Sequence, residues 1–153
     1  MVVTGVVVLG GVLVVVAAIG LLRSRFDGRL RQVRPTPTPE LAALGDVGFR
    51  PGEAEVTLVQ FSSAFCQPCR ATRAVLSDVA GTVPGVRHLE VDAESQLEAV
   101  RTLGILRTPT TLVVDSAGTV VQRASGQPRK ADVIAAVGRV LLPGGQVSEG
   151  ETR

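Results

Sequence analysis

From Val2 to Leu22 the chain reads "VVTGVVVLGGVLVVVAAIGLL", 21 residues without a charge. As a helix this run would extend roughly 32 Å, about the thickness of a bilayer core. A buried core helix is seldom so evenly apolar. A cleaved secretory signal, the other alternative, would want Lys or Arg ahead of the apolar run, and none precedes it. Residues 1–22 therefore read as a transmembrane helix, which makes the lipid bilayer a partner through residues 2–22.

Arg23, Arg25, Arg29, Arg31 and Arg34 follow directly, against Asp27. They put +4 on residues 1–34 and, since the whole chain carries +2, leave −2 on the remainder. Lys and Arg beside a span tend to stay on the cytoplasmic side, so the expected arrangement is a single pass through the cell membrane with the body in the cytoplasm. Next, "RPTPTPE" alternates Pro35, Pro37 and Pro39, which favours extended, semi-rigid backbone. Residues 23–52 read as a basic, Pro-rich linker, and the signals between Leu41 and Glu55 are mixed. The body beyond is mildly acidic and has no Trp and no Tyr, the opposite of the basic, aromatic face that nucleic acid requires.

Periodicity sharpens at Val56. "VTLVQF" is a short β-branched run of the buried-strand kind, and a helical apolar spacing of Ala71, Ala74, Val75 and Val79 follows it. "VRHLEVD" (Val86–Asp92) alternates as a strand, and "SQLEAVRTLG" opens on a capping Ser and closes on Gly. "TTLVVD" and "TVVQRA" flank the turn "DSAG", and "RKADVIAAVGRVLL" carries a helical stripe of Val133, Ile134, Val137, Val140 and Leu141. This order predicts an α/β sandwich over residues 53–142, built from one parallel βαβ unit, a hairpin and a covering helix, with a disordered tail at 143–153.

The only two cysteines, Cys66 and Cys69, fall at the seam between the first strong strand and its helix. A metal site wants about four ligands, whereas the chain offers these two and the distant His88. A staple would close too short a loop to restrain the unfolded chain, and in the cytoplasm it would tend to be reduced. The reactive reading has a physical basis. Unpaired N–H groups and the positive end of the helix dipole stabilise a thiolate at a helix start, where Cys66 stands, and Cys69 one turn on suits a resolving thiol. Pro68 is tolerable there because a first-turn N–H has no intrahelical partner.

From about Val56 to Leu142 the sequence resembles the thioredoxin family. "FCQPC" stands where that family has its Cys-Gly-Pro-Cys motif, "TPT" (Thr108–Thr110) stands where it has a cis-proline, and "SGQ" supplies Gly126 near its site glycine. The resemblance implies a thioredoxin-like fold, a central mixed sheet flanked by helices, and a membrane-anchored protein-disulfide oxidoreductase with Cys66 and Cys69 catalytic. It implies that Pro109 is cis beside Cys66, that the backbone of Thr108 pairs with substrate, and that Phe65 and Gly126 border the substrate. Expected partners are protein disulfides or dithiols and a thiol reductant or reductase, with neither cofactor nor metal.

The departures from the pattern are specific. Phe65 and Ser62 replace the two tryptophans usual around the site, and Gln67 replaces the Gly between the cysteines. Gln60 occupies the position of a buried acid. It shares a strand face with Leu58 and should point inward, and with His88 it is a candidate proton relay. Arg70 and Arg73 after the motif could raise the local potential or simply form a solvated helix face. The opening strand and helix of a full thioredoxin are not recognisable before Val56, which predicts a fold trimmed at that edge. Two further readings follow: an extracytoplasmic maturation factor if the topology is inverted, or a weakly catalytic interaction module.

Overall fold

A computed structural model of the chain describes residues 2–26, 28–32 and 39–142. The elements are α1 (Val2–Phe26), β1 (Arg31–Gln32), α2 (Pro39–Asp46), β2 (Val56–Ser62), α3 (Gln67–Thr82), β3 (Val86–Asp92), α4 (Leu97–Thr102), β4 (Thr110–Asp115), β5 (Val120–Ser125) and α5 (Lys130–Leu141). One mixed sheet runs in the order β1-β5-β4-β2-β3. Among the described residues, only β2 and β3 pair in parallel, as the intervening helix α3 requires, while β4 lies antiparallel to both β2 and β5.

Strand β2 is buried along its whole length, so its period of two feeds both layers. Val59 and Phe61 face a cluster with Leu44 and Phe49 from the α2 side and Ala99 and Leu103 from the α4 side. Leu58 faces the opposite cluster, with Leu76 and Val79 of α3 and Val133 and Val137 of α5. Gln60 lies on this second face. The hairpin turn is fixed by Asp115, whose carboxylate accepts from the N–H groups of Ala117 and Thr119 while Gly118 takes a φ of +91°.

The expectation of a trimmed edge is corrected by β1 and α2. β1 pairs antiparallel with β5, Arg31 opposite Arg123, and α2 places Ala43 and Leu44 in the core. The segment read as a linker over 23–52 thus contributes two elements to the domain. Pro39 is not spacer but the first residue of α2, a place where a missing N–H breaks no helical bond. Pro35 and Pro37 of the expected spacer and the tail 143–153 lie outside the described residues.

Helix α1 is continuous over 25 residues. Its side chains are described from Gly10 to Leu22 and are exposed throughout, Leu13, Val14 and Leu21 among them. The expectation of a transmembrane helix over residues 1–22 finds no support in the fold: among the described residues, no helix is long and apolar enough to cross a membrane.

Candidate active site

The sheet delivers its central strand to the site. Beyond Ser62, the residues Ser63, Ala64 and Phe65 turn the chain into α3, and Cys66 is that helix's N-cap, with extended backbone at φ −90° and ψ 97°. Its Sγ accepts a hydrogen bond from the N–H of Cys69 at 3.2 Å, so the sulfur sits on an otherwise orphaned first-turn donor. Cys66 and Cys69 form a disulfide with their Cα atoms 5.2 Å apart. Cys66 is half-buried, whereas Cys69 is only 2% exposed and packs under the helix. An attacking group from outside can therefore reach the sulfur of Cys66 and not that of Cys69.

The loop before β4 closes one side. The Thr108–Pro109 peptide bond is cis, Pro109 is buried, and the Thr108 hydroxyl is 3.1 Å from that of Ser63, which ties this loop to the turn leading into Cys66. Gly126, at φ +97°, donates its N–H to the carbonyl of Pro109 at 2.7 Å. Among the described residues, nothing takes up the N–H or the carbonyl of Thr108. Pro68, Thr108, Pro109, Gly126 and Gln127 line one open groove. Phe65 stands fully exposed beside Cys66.

Behind the cysteines lies a neutral polar chain. Gln60 is completely buried and donates from Nε2 to the carbonyl of Cys69 at 2.9 Å, while its Oε1 lies 3.2 Å from His88 Nε2. An amide oxygen only accepts, so His88 must donate from Nε2. Its Nδ1, 3.0 Å from the Ser77 hydroxyl, is then left as acceptor in the neutral ring. Burial lowers the His88 pKa; the nearby charge of Glu90 opposes that shift and the charge of Arg73 adds to it. The sequence-inferred relay residues therefore do sit together, but Gln60 reaches the Cys69 backbone rather than its sulfur.

On the same sheet face as Gln60 and His88, Glu90 accepts from the Ser62 hydroxyl at 2.7 Å and pairs with Arg73. Burial pushes the Glu90 carboxyl up, but hydrogen bonds from Arg73 and Ser62 and the charges of Arg73 and His88 outweigh it and leave the pKa lowered. The hydrogen bond to Glu90 and its charge raise Arg73 in turn. Ser62, Cys66, Cys69, Arg70, Arg73 and Glu90 border one depression. Sequence reasoning misses Glu90, yet the alternation of "VRHLEVD" places it on the same strand face as His88. Among the described residues, no cluster of His, Cys, Asp and Glu could hold a metal ion.

Set against known proteins, residues 51–139 match the family model described as Thioredoxin. Among solved structures, a mutant thioredoxin from Halobacterium salinarum is similar at a TM-score of 0.56 and 17% identity, over 69% of this chain and 95% of that one. Chlamydomonas reinhardtii thioredoxin f2 gives 0.52 at 18% identity, over 67% of this chain and 92% of that one. Fasciola hepatica thioredoxin gives 0.51 at 21%, over 64% and 88%. At such identities the likeness is one of fold. No curated protein matches by sequence.

Proposed function

Because the chain belongs to the thioredoxin family, we propose that it is a membrane-tethered thiol–disulfide oxidoreductase acting on protein disulfides. The observation that carries the reading is the asymmetry of the pair: Cys66 half-exposed at the helix start, Cys69 buried one turn behind it, and the cis Thr108–Pro109 loop alongside.

In the reducing direction, the Cys66 thiolate attacks one sulfur of a substrate disulfide, forms a mixed disulfide and expels one substrate thiolate. Cys69 then loses its proton and attacks the Cys66 sulfur. The second substrate thiolate leaves, the Cys66–Cys69 disulfide forms, and two electrons have passed to the substrate. A thiol reductant or reductase restores the dithiol. The N–H and carbonyl of Thr108 are available to pair with the substrate backbone and orient its disulfide. Gln60 fixes the Cys69 carbonyl but, being neutral, accepts no proton.

The tether is supported by the uncharged run of residues 2–22, by the exposed apolar side chains along α1, and by the arginines that follow. With a dithiol reductant present to restore Cys66 and Cys69, full-length protein in detergent should speed reduction of the disulfides of insulin above the rate of the reductant alone, and Cys66→Ser should abolish that turnover. Absence of turnover would leave an interaction module. A C-terminal fluorescent-protein fusion should be bright and a phosphatase fusion inactive. The reverse pattern would place the body outside the cytoplasm and favour the maturation role.

A further inference from the structure

The point where the chain leaves α1 is also a point where it touches the candidate active site. Helix α1 runs four residues past Leu22, to Phe26, which adds about 6 Å. Asp27 and Gly28 can add at most about 7 Å more. Gly28 is therefore held within roughly 13 Å of the end of the apolar run, no more than about 8 Å beyond a headgroup layer about 5–8 Å deep.

Gly28 is bound, not loose. Its N–H donates to the carbonyl of Ser125 at 2.7 Å, and it packs so closely on Gln127 that a Cβ would lie 1.9 Å from that residue's carbonyl oxygen. Gly126, between those two contacts, holds the carbonyl of Pro109. The loop 125–127 thus has the tether on one side and the groove of Pro68, Thr108 and Pro109 on the other. The opposite pole, the turn between β4 and β5, lies one strand of about 20 Å away.

The charges agree with this placement. Arg29 and Arg129 border one depression next to the tether, with Asp132 beside them, and Arg31, Arg107 and Arg123 border another; Arg139, at the far end of the first depression, also borders Asp115 and Ser116 of the opposite pole. An arginine-rich end of a domain anchored this closely is attracted to anionic headgroups. Leu106, 95% exposed, lines the second depression.

We infer that the redox centre is held at the bilayer surface, and that its substrates are disulfides in juxtamembrane segments of proteins anchored in the same membrane. The inference rests on the tethered-exchange reading above. With Gly28 bound to the loop 125–127 and Asp27 alone between it and the end of α1, the domain has no length with which to lift the cysteines toward solvent.

The test uses full-length reduced protein in vesicles of phosphatidylcholine and phosphatidylserine. The probe is a disulfide-bridged dye-labelled peptide, either free or lipid-anchored through a spacer of about two or about twenty flexible residues. The short-spacer peptide should react at least as fast as the long-spacer one. If the site faces away from the membrane, the short spacer cannot span the gap and its rate falls by about tenfold or more, which overturns the inference. A dye on Cys66 in Cys69→Ser should also be quenched by headgroup-labelled lipid more strongly than a dye on Ala117→Cys in the cysteine-free background. Equal or reversed quenching overturns the inference as well. A chain that fails to float with the vesicles sinks the tether reading, and one that exchanges with none of the peptides sinks the redox reading. Each takes the inference with it, whereas a lag confined to the short spacer removes the inference alone.

Discussion

At position 60 the chain places an amide, with no exposed surface, behind a pair of cysteines. Gln60→Asp would put a titratable carboxyl, one methylene shorter than the amide and without its donor to the Cys69 carbonyl, in the buried space between Cys69 and His88. Burial raises such a carboxyl's pKa, and general-base help is commonly worth about a hundredfold, so turnover of a model disulfide should rise and acquire a new pH dependence above neutrality. The folded form would hold its proton after the unfolded chain has lost it near pH 3.9, so the variant should lose stability as pH rises from there to the raised folded value. A variant that folds and shows neither change would mean that the proton already leaves by water or through His88. His88 itself titrates in the other sense. Its folded pKa lies below the unfolded value of about 6.5, so the unfolded chain binds the proton first on acidification. Stability should fall as pH drops below about 6.5 and level off below the folded pKa, and His88→Gln should flatten that slope in denaturant titrations. The lowered Glu90 acts further down, its contribution being lost as pH falls through its folded pKa below the ordinary carboxylate range.

Among the elements, β2, α3, β3 and β4 are legible because each carries a strong period and a clear boundary. The strand from Val86 to Asp92 coincides in both its limits. The opening pair is not legible, for physical reasons. β1 is two polar residues whose place is set by pairing with β5, and a sheet edge of that length has no hydrophobic signature. In α2 the signal is masked by the alternating prolines, since Pro39 reads equally as the end of a spacer or as a first helical residue, and only the burial of Leu44 and Phe49 decides it. Two glycines test how these elements are held. Gly28 has φ +79° and no room for a Cβ, so Gly28→Ala should cost about 1–3 kcal/mol and speed hydrogen exchange along β5. Gly45 lies in α2 with open space around its would-be Cβ, and Gly45→Ala should add about 0.5–1 kcal/mol by removing backbone entropy from the unfolded chain. Equal effects of the two substitutions in thermal unfolding would contradict the docking of residues 28–32.

For the molecule as a whole, the site is assembled from parts far apart in sequence, and the legibility of each part follows its chemistry. The cysteines, the proline and the glycine are punctuation that a sequence displays directly. The partner of Gln60 and the pairing of Ser62, Glu90 and Arg73 depend on register between β2 and β3, which no single strand reveals. The direct test of the whole account is a trap. Reduced Cys69→Ser and Cys66→Ser proteins are each mixed with a disulfide-bonded protein at neutral pH and followed by mass spectrometry. Cys69→Ser should accumulate a mixed disulfide through Cys66, while Cys66→Ser, whose remaining thiol is buried, should form adduct at least about a hundredfold more slowly. Equal rates, or adduct formed preferentially through Cys69, would contradict the assignment of Cys66 as the attacking thiol.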